Sequence, residues 1–510
     1  MIRRILLSRA GGLEGFSPDQ RWPSWCTAAA VATTVAIGVG GVLGITAGLA
    51  DLAGNGDDTA TLLVVGGTSA LAAAVLHYWT KSSERVRDVD VLVAITGGLV
   101  GFCLYVACLF LLAGTTSNVV DALTDAVAAG TTTALGVVTP EMEDHGGRML
   151  VAGAQWFGGL GALLFGVAIL PFFGAGREFA DRSRRGTRRP MTPDQATAVR
   201  NIMVIYGIVS GGTWLAYVLA GATPFESVLL AMATSSTGGM TAGATLDTAA
   251  LQWVAVAGMF VAGTSLVVLW RLGHGHGRNL LRSAELRLYV GLLVGGILLF
   301  LLWTDGSGVD GARRAAFTVT STLTTTGFPS EPGGSWAPAA PVLILGLASI
   351  GPMVGSAGGG FQILRHRILV QAAIREMLRQ LHPRSLILVR LGGRVANEDT
   401  LSKVVVSQFL FVSAVFITGL VVAVCGLDLA TALGAAVHAI STAGPVRSLD
   451  GIIIDPASWP DGVRLALLPA MVIGRLSVYP AFVAAGTGFA SIRDRTGLRR
   501  QWRASRRDES

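Results

Sequence analysis

The sequence predicts an all-α polytopic membrane protein: four pseudo-repeats of helix, re-entrant pore loop and helix around one ion pathway, plus two extra N-terminal transmembrane helices. Three observations predict it. Of 510 residues, 51% are hydrophobic and only 14% charged, with a mean hydropathy of +0.59, a balance foreign to a soluble chain of this length. Apolar segments long enough to cross a bilayer, which takes roughly 17–25 residues, recur along the whole chain. Between them a short apolar stretch runs four times into a cluster of hydroxyl and glycine residues: Gly-Thr-Thr-Thr-Ala at 130–134, Ser-Ser-Thr-Gly-Gly at 235–239, Leu-Thr-Thr-Thr-Gly at 323–327 and Ile-Ser-Thr-Ala-Gly at 440–444.

The spans at 25–50 and 60–80 are the two extra helices, in a first division 1–88. Repeat one, 89–190, takes spans 91–113 and 149–173; repeat two, 191–280, takes 202–221 and 249–270. Repeat three, 281–395, takes 287–304 and 340–362, then runs into a basic amphipathic stretch at 364–402 that suits the cytoplasmic membrane surface. Repeat four, 396–510, takes 403–426 and 463–486 and ends in a basic tail.

Each re-entrant segment opens with helix-start chemistry. Asn118 and Asp121 precede the first, Thr223-Pro224 with Glu226 opens the second, Asp310 precedes the third, and Asp428 opens the fourth. A helix that stops at small residues at membrane depth leaves carbonyl oxygens unpaired, which is tolerated only where the backbone is buried or lines a watery cavity. Four such ends meeting on one axis make an oxygen-lined cation pathway.

Arginine and lysine fall in alternate connections, from Arg3, Arg4, Arg9 and Arg21 through 177–189 and Arg365–Arg394 to Arg493–Arg507, while the clusters sit among acidic connections. The positive-inside rule then puts both termini in the cytoplasm and the clusters outside. The net charge of +7 follows from this arrangement and does not point to nucleic acid. The start of the chain does not read as a signal peptide, so the first span is expected to direct insertion. Cys26, Cys103, Cys108 and Cys425 read as small buried hydrophobes. His274-Gly275-His276-Gly277 reads as a flexible connection rather than a metal site, and His438 as a packed or hydrogen-bonded residue. No glycine-rich stretch follows a strand into a helix, and no catalytic set converges, so the chain is not read as an enzyme.

Four motifs, each at the corresponding place in the four-unit plan, resemble the Trk/Ktr/HKT potassium transporter superfamily, in particular its bacterial TrkH-like membrane subunits. They are Trp156-Phe157-Gly158-Gly159-Leu160-Gly161 with Val167 to Pro171; Thr324 to Phe328; Gly355-Ser356-Ala357-Gly358-Gly359-Gly360; and Gly474-Arg475-Leu476 with Tyr479-Pro480. The resemblance covers essentially the whole chain after about residue 90. It implies potassium uptake through a channel-like pore in the bacterial plasma membrane. The filter would comprise Thr132, Thr133 and Ala134; Thr237, Gly238 and Gly239; Thr325, Thr326 and Gly327; and Thr442, Ala443 and Gly444. Glycine is expected there because aiming successive carbonyls at one ion takes dihedrals that glycine visits cheaply. The resemblance makes Gly355–Gly360 an intramembrane gating loop and Arg475 its partner in the barrier below the filter. It also implies a homodimer, a separate cytoplasmic nucleotide-binding regulatory subunit (TrkA-like) that docks on basic loops, and contact with membrane lipids; no organic cofactor and no metal beyond the transported potassium ion are expected.

This chain departs from the family pattern at Ala134, where glycine is expected, at Gln362 and Ser477, where the family has lysine and glutamate, and at Arg447, which brings a positive charge near the outer mouth. A sodium or poorly selective pathway, or a non-conducting sensor on the same scaffold, is therefore the alternative.

Overall fold

The computed structural model describes residues 24–79, 88–116, 118–137, 144–169, 192–273, 275, 283–303, 308–330, 337, 339–382, 390–391, 394–395, 398–448 and 452–486. The basic segment 177–189, both chain tails, Pro171, His274 and His276 lie outside the described residues.

Helices make nearly all of it. Two long ones, α1 (Ser24–Ala53) and α2 (Thr59–Trp79), form a hairpin. Four sets of long helix, short helix and second helix follow: α3 (Asp88–Leu112), α4 (Val119–Gly130) and α5 (His145–Ile169); α6 (Thr192–Leu219), α7 (Pro224–Ser235) and α8 (Ala249–Ala262), the last continued by α9 (Leu266–Gly273). The third set is α10 (Ala284–Trp303), α11 (Gly308–Leu323) and α12 (Ala339–Ile350). After α13 (Ile363–Leu381) and a two-residue antiparallel ladder, Arg390–Leu391 on Arg394–Val395, the fourth is α14 (Glu398–Val424), α15 (Leu429–Ser441) and α16 (Asp461–Arg475), continued by α17 (Val478–Gly486).

Among the described residues seven helices are long and apolar enough to cross a membrane, or nine if each of two bent pairs counts as one span. Many of their large apolar side chains face outward, among them Leu71, Ile208, Leu302, Phe409 and Val424. In a bilayer that exposure is solvation by lipid.

Two expected spans are not continuous. The 249–270 segment turns by 100° between α8 and α9, and 463–486 by 103° between α16 and α17. The cause is local: Gly263 caps α8 and the Thr264 hydroxyl donates to the Phe260 carbonyl (2.8 Å), while Ser477 adopts a left-handed φ of 58°. The expected 340–362 span is helical only to Ile350; Gly351 then takes φ 70° and the chain stays irregular to Gln362. Only α5, of the four second helices, runs unbroken through this level.

The α1–α2 hairpin is held by close backbone approach. A Cβ on Gly66 would lie 2.7 Å from the Gly41 carbonyl oxygen, so small residues let the helices touch. The hairpin packs through α1 on α3 and α5, with Leu43, Leu62, Phe110 and Leu150 in one core. Of the cysteines, Cys103 is buried as expected, whereas Cys108 is exposed.

Candidate functional site

Three of the four short helices begin on side-chain caps. Asn118 accepts from the Val120 amide, Thr223 from the Glu226 amide, and Asp428 from the Thr431 amide. The Thr223 hydroxyl also donates to the Glu226 carboxylate, closing a capping box. Asp310 does not precede the third helix but sits in its first turn.

All four helices end in the same way. The amides of Thr133, Gly238, Thr326 and Ala443 reach back five residues to the carbonyls of Ala128, Ala233, Ser321 and His438, at 2.7, 2.9, 2.9 and 2.9 Å. The residue before each of these is a left-handed threonine: Thr132 (φ 54°), Thr237 (54°), Thr325 (57°) and Thr442 (47°). This is the Schellman closure, whose left-handed residue is ordinarily glycine. A β-branched residue there is an outlier that persists only when its surroundings hold it. Here they do, since all four threonines are fully buried.

Two residues after each threonine come Ala134, Gly239, Gly327 and Gly444, and these meet. A Cβ on Gly239 would lie 1.9 Å from the Thr326 oxygen; one on Gly327 would lie 2.8 Å from the Ala134 Cβ and 2.9 Å from the Gly444 oxygen. One on Gly444 would lie 2.4 Å from the Ala134 oxygen. The conformational reason expected for glycine is thus only half correct: Gly239 (φ 69°) and Gly327 (φ 78°) are left-handed, but Gly444 and Ala134 are not. At Gly444 glycine is required by space. The Ala134 methyl takes up the room its neighbours leave, and its amide donates to the Ala443 carbonyl (3.2 Å), so that oxygen is already engaged.

The outgoing strand of each quarter is pinned. Asp125 accepts from the Val137 amide; Gln155 accepts from the Met240 amide (3.0 Å) and donates to its carbonyl (2.9 Å). Ser321 donates to the Phe328 carbonyl (3.2 Å), and the Ile454 amide to the Val446 carbonyl (2.9 Å). Gly158 of the Trp156–Gly161 motif gives the close approach behind the ring: a Cβ there would lie 2.3 Å from the Gly130 oxygen, and Gly474 stands likewise against the Ile440 oxygen at 2.3 Å.

The 351–362 loop lies directly against two of the helix ends. The Gly359 amide donates to the Thr325 hydroxyl (2.8 Å) and the Gly360 amide to the Ser441 carbonyl (2.9 Å). On its other side the loop is stitched to the bend of the second quarter, with the Leu266 amide on the Gly355 carbonyl (3.0 Å) and the Ala357 amide on the Ala262 carbonyl (3.4 Å). Ser356 donates to the Met353 carbonyl (2.6 Å). Arg475, 7% exposed, sits at the α16–α17 bend and donates to the Ala357 carbonyl (2.9 Å) and the Gly158 carbonyl (3.4 Å). Its charge is held by backbone oxygens, the usual recourse where water is scarce.

Four further arginines bridge neighbouring quarters. Arg148 donates to the Ala242 carbonyl (2.7 Å), Arg313 to Gln252, Arg447 to the Ser330 hydroxyl (2.7 Å), and Arg464 to both Asp121 and Asp461. Arg447 therefore does not stand in the mouth as a loose charge.

The model of the TrkH family, described as cation transport protein, matches residues 308–490. The Trk system potassium uptake protein TrkI of Halomonas elongata is 29% identical over 384 residues, covering 72% of this chain and 77% of that one. TrkH of Vibrio parahaemolyticus is 28% identical over 352 residues, 64% and 70% of the two chains. The crystal structure of the potassium transporter TrkH from Vibrio parahaemolyticus superposes with a TM-score of 0.78 at 21% identity, covering 88% of this chain and 98% of that one. The chain is TrkH-like. The family matched is a transporter family, not an enzyme family, and the TrkH-like chain is a multi-pass membrane protein.

Sequence reasoning named the residues of the helix ends and the loop of this TrkH-like chain but missed what holds them. Gln155, Asp125, Arg148, Arg313 and Arg464 carry no local motif, and Arg447 stood out for its charge but not for its bond to Ser330. A glutamine within an apolar span, Gln155, was the one available signal, and the structure buries it fully.

Proposed function

We propose that this chain conducts a monovalent cation, most simply potassium, into the cell through the axis where the four helix ends meet. One observation carries the reading: four segments far apart in sequence end in the same left-handed threonine and converge on one ring of small residues. A helix C-terminus carries about half a negative charge, so four of them aimed at one point favour a cation and disfavour an anion. The threonine and following carbonyls at 132–134, 237–239, 325–327 and 442–444 serve as the filter, and Gly355–Gly360, clamped by Arg475, as the barrier beneath it. The potassium assignment draws on the names of the Halomonas elongata and Vibrio parahaemolyticus relatives.

The remaining parts of this reading follow from charge pattern and kinship. The chain resides in the bacterial plasma membrane with both termini cytoplasmic, acts as a homodimer with one pore per subunit, and is regulated by a separate nucleotide-binding subunit, as the phrase "Trk system" for its relatives suggests. The repeats 89–190, 191–280, 281–395 and 396–510 are its four pore quarters.

Reversal potentials under mixed sodium and potassium gradients test the filter. Ala134→Gly should raise potassium over sodium permeability by freeing the first quarter, and Gly327→Ser should lower it, because a regular ring of carbonyls better replaces the ion's hydration shell. Parental selectivity in both would dismiss the ring as the filter. A specific observation favours a second reading: the Ala134 methyl and its bond to the Ala443 carbonyl leave the ring unequal, which suits a poorly selective or sodium pathway. Absence of any ion flux in liposomes would favour a non-conducting sensor.

A further inference from the structure

Behind the fourth filter turn lies a cavity of about 270 Å³, walled by Pro341, Ile344 and Leu345 of α12 and by Gly434 and His438 of α15. Its polar lining comprises Asp428, Thr431, His438, Arg447 and Ser448. His438 is 2% exposed and its Nδ1 has no hydrogen-bond partner, a costly state for a buried polar atom unless something else meets it. Arg447 brings a full positive charge to the same wall. Among the described residues Asp428 is the one acidic group lining the cavity; it is exposed, and its carboxylate is occupied in capping α15 through the Thr431 amide (3.0 Å).

We propose that this cavity is a binding site for a monovalent oxyanion, a carboxylate or phosphate group, held by Arg447, His438 and Ser448 with its apolar part against Ile344 and Leu345. The guanidinium offers charge-assisted donors suited to such a group, and the imidazole and hydroxyl supply the neutral ones. The site does not depend on conduction. It does touch the filter region from behind, because the His438 carbonyl accepts the Ala443 amide (2.9 Å) and Arg447 lies three residues after Gly444.

The same chemistry arrives from solution or from an anionic lipid headgroup, so the test has two arms. Full-length protein in detergent is heated in rising inorganic phosphate or acetate, with chloride at equal ionic strength as control. In the second arm it is reconstituted in vesicles of phosphatidylglycerol or of phosphatidylcholine. A saturating rise of the unfolding midpoint with phosphate or acetate and not with chloride supports a solution anion. A rise confined to phosphatidylglycerol supports the headgroup. Two variants tie either result to the cavity. Gly434→Leu, whose added Cβ would meet nothing nearer than Val446 at 3.6 Å, fills the space and should abolish the response. Asp428→Asn keeps the cap, removes the opposing charge and should tighten binding several-fold. No saturating response in either arm, or one unchanged in both variants, overturns the proposal.

Discussion

A threonine in the left-handed region is uphill by about 1–2 kcal/mol, and this chain places one at the end of each short helix. Thr132, Thr237, Thr325 and Thr442 must therefore be kept for what the side chain does. Thr325 accepts from the Gly359 amide of the 351–362 loop, Thr237 bonds its own neighbour's carbonyl, and the Thr132 and Thr442 hydroxyls have no protein partner. Alanine and glycine both remove the hydroxyl, but only glycine relieves the backbone. Thermal unfolding should thus find Thr132→Gly more stable than Thr132→Ala by about 1 kcal/mol, with both losing cation selectivity. Parity between the two variants would mean the backbone is not strained. Asp144 offers a separate test at the N-terminal end of α5, where it caps the Gly146 and Gly147 amides at 3.1 and 2.6 Å beside Asp51. Burial, then the hydrogen bond to Asp51, raises its pKa above the ordinary 3.8. A raised carboxyl stabilises the fold while protonated, below its ordinary pKa, and that contribution is lost as pH climbs through the raised value. Asp144→Asn keeps the cap without the titration, so its advantage in unfolding midpoint should shrink as pH falls from about 8 toward about 4. Asp58, Asp57, His145 and Arg148 stand nearby and are unchanged in that comparison.

At the scale of elements, the broken second helices are the feature to probe. If the 351–362 loop is the barrier, Arg475→Ala frees the Ala357 carbonyl and should raise ion flux in liposomes, and so should a loop shortened within Gly358–Gly360. Two folded variants with unchanged or lower flux would show that the barrier is elsewhere. The helix pair α1–α2 makes a structural control: Gly66→Leu forces apart backbones whose approach it permits and should cost about 1–3 kcal/mol with little change in selectivity. The long helices, the caps of three short ones and the four clusters were legible because each is written in contiguous residues with one period or one composition. The bends at Gly263–Ser265 and Ser477 were not, because a hydroxyl or a single small residue in an apolar run is equally at home in a straight helix. The positional meaning of threonine was also hidden, since its left-handed backbone contradicts its own preference and is imposed by packing.

For the whole molecule, an arginine side chain helps to join each quarter to the next: Arg148 from first to second, Arg313 from third to second, Arg447 from fourth to third, and Arg464 from fourth to first. None of these pairings is visible along the chain, because the partners are 94, 61, 117 and 343 residues apart. Arg464 is 8% exposed and binds two carboxylates, but Asp461 is largely open to solvent, so Arg464→Met should cost less than the 3–5 kcal/mol of a fully buried broken pair, about 1–3 kcal/mol. Limited proteolysis should then cut this variant faster than an Arg148→Met chain.

Those four separations also prescribe an order of assembly. A ribosome feeds the quarters into the bilayer one after another, and three of the borders join quarters that are inserted consecutively. The fourth joins the last quarter to the first, so Asp121 must wait for Arg464, 343 residues downstream. Until then the first quarter lacks the partners that the fourth supplies, the Ala443 carbonyl that accepts the Ala134 amide among them, and lipid offers no replacement. The first quarter is the part of this protein that spends longest unfinished, and it is also the quarter in which an alanine replaces the glycine.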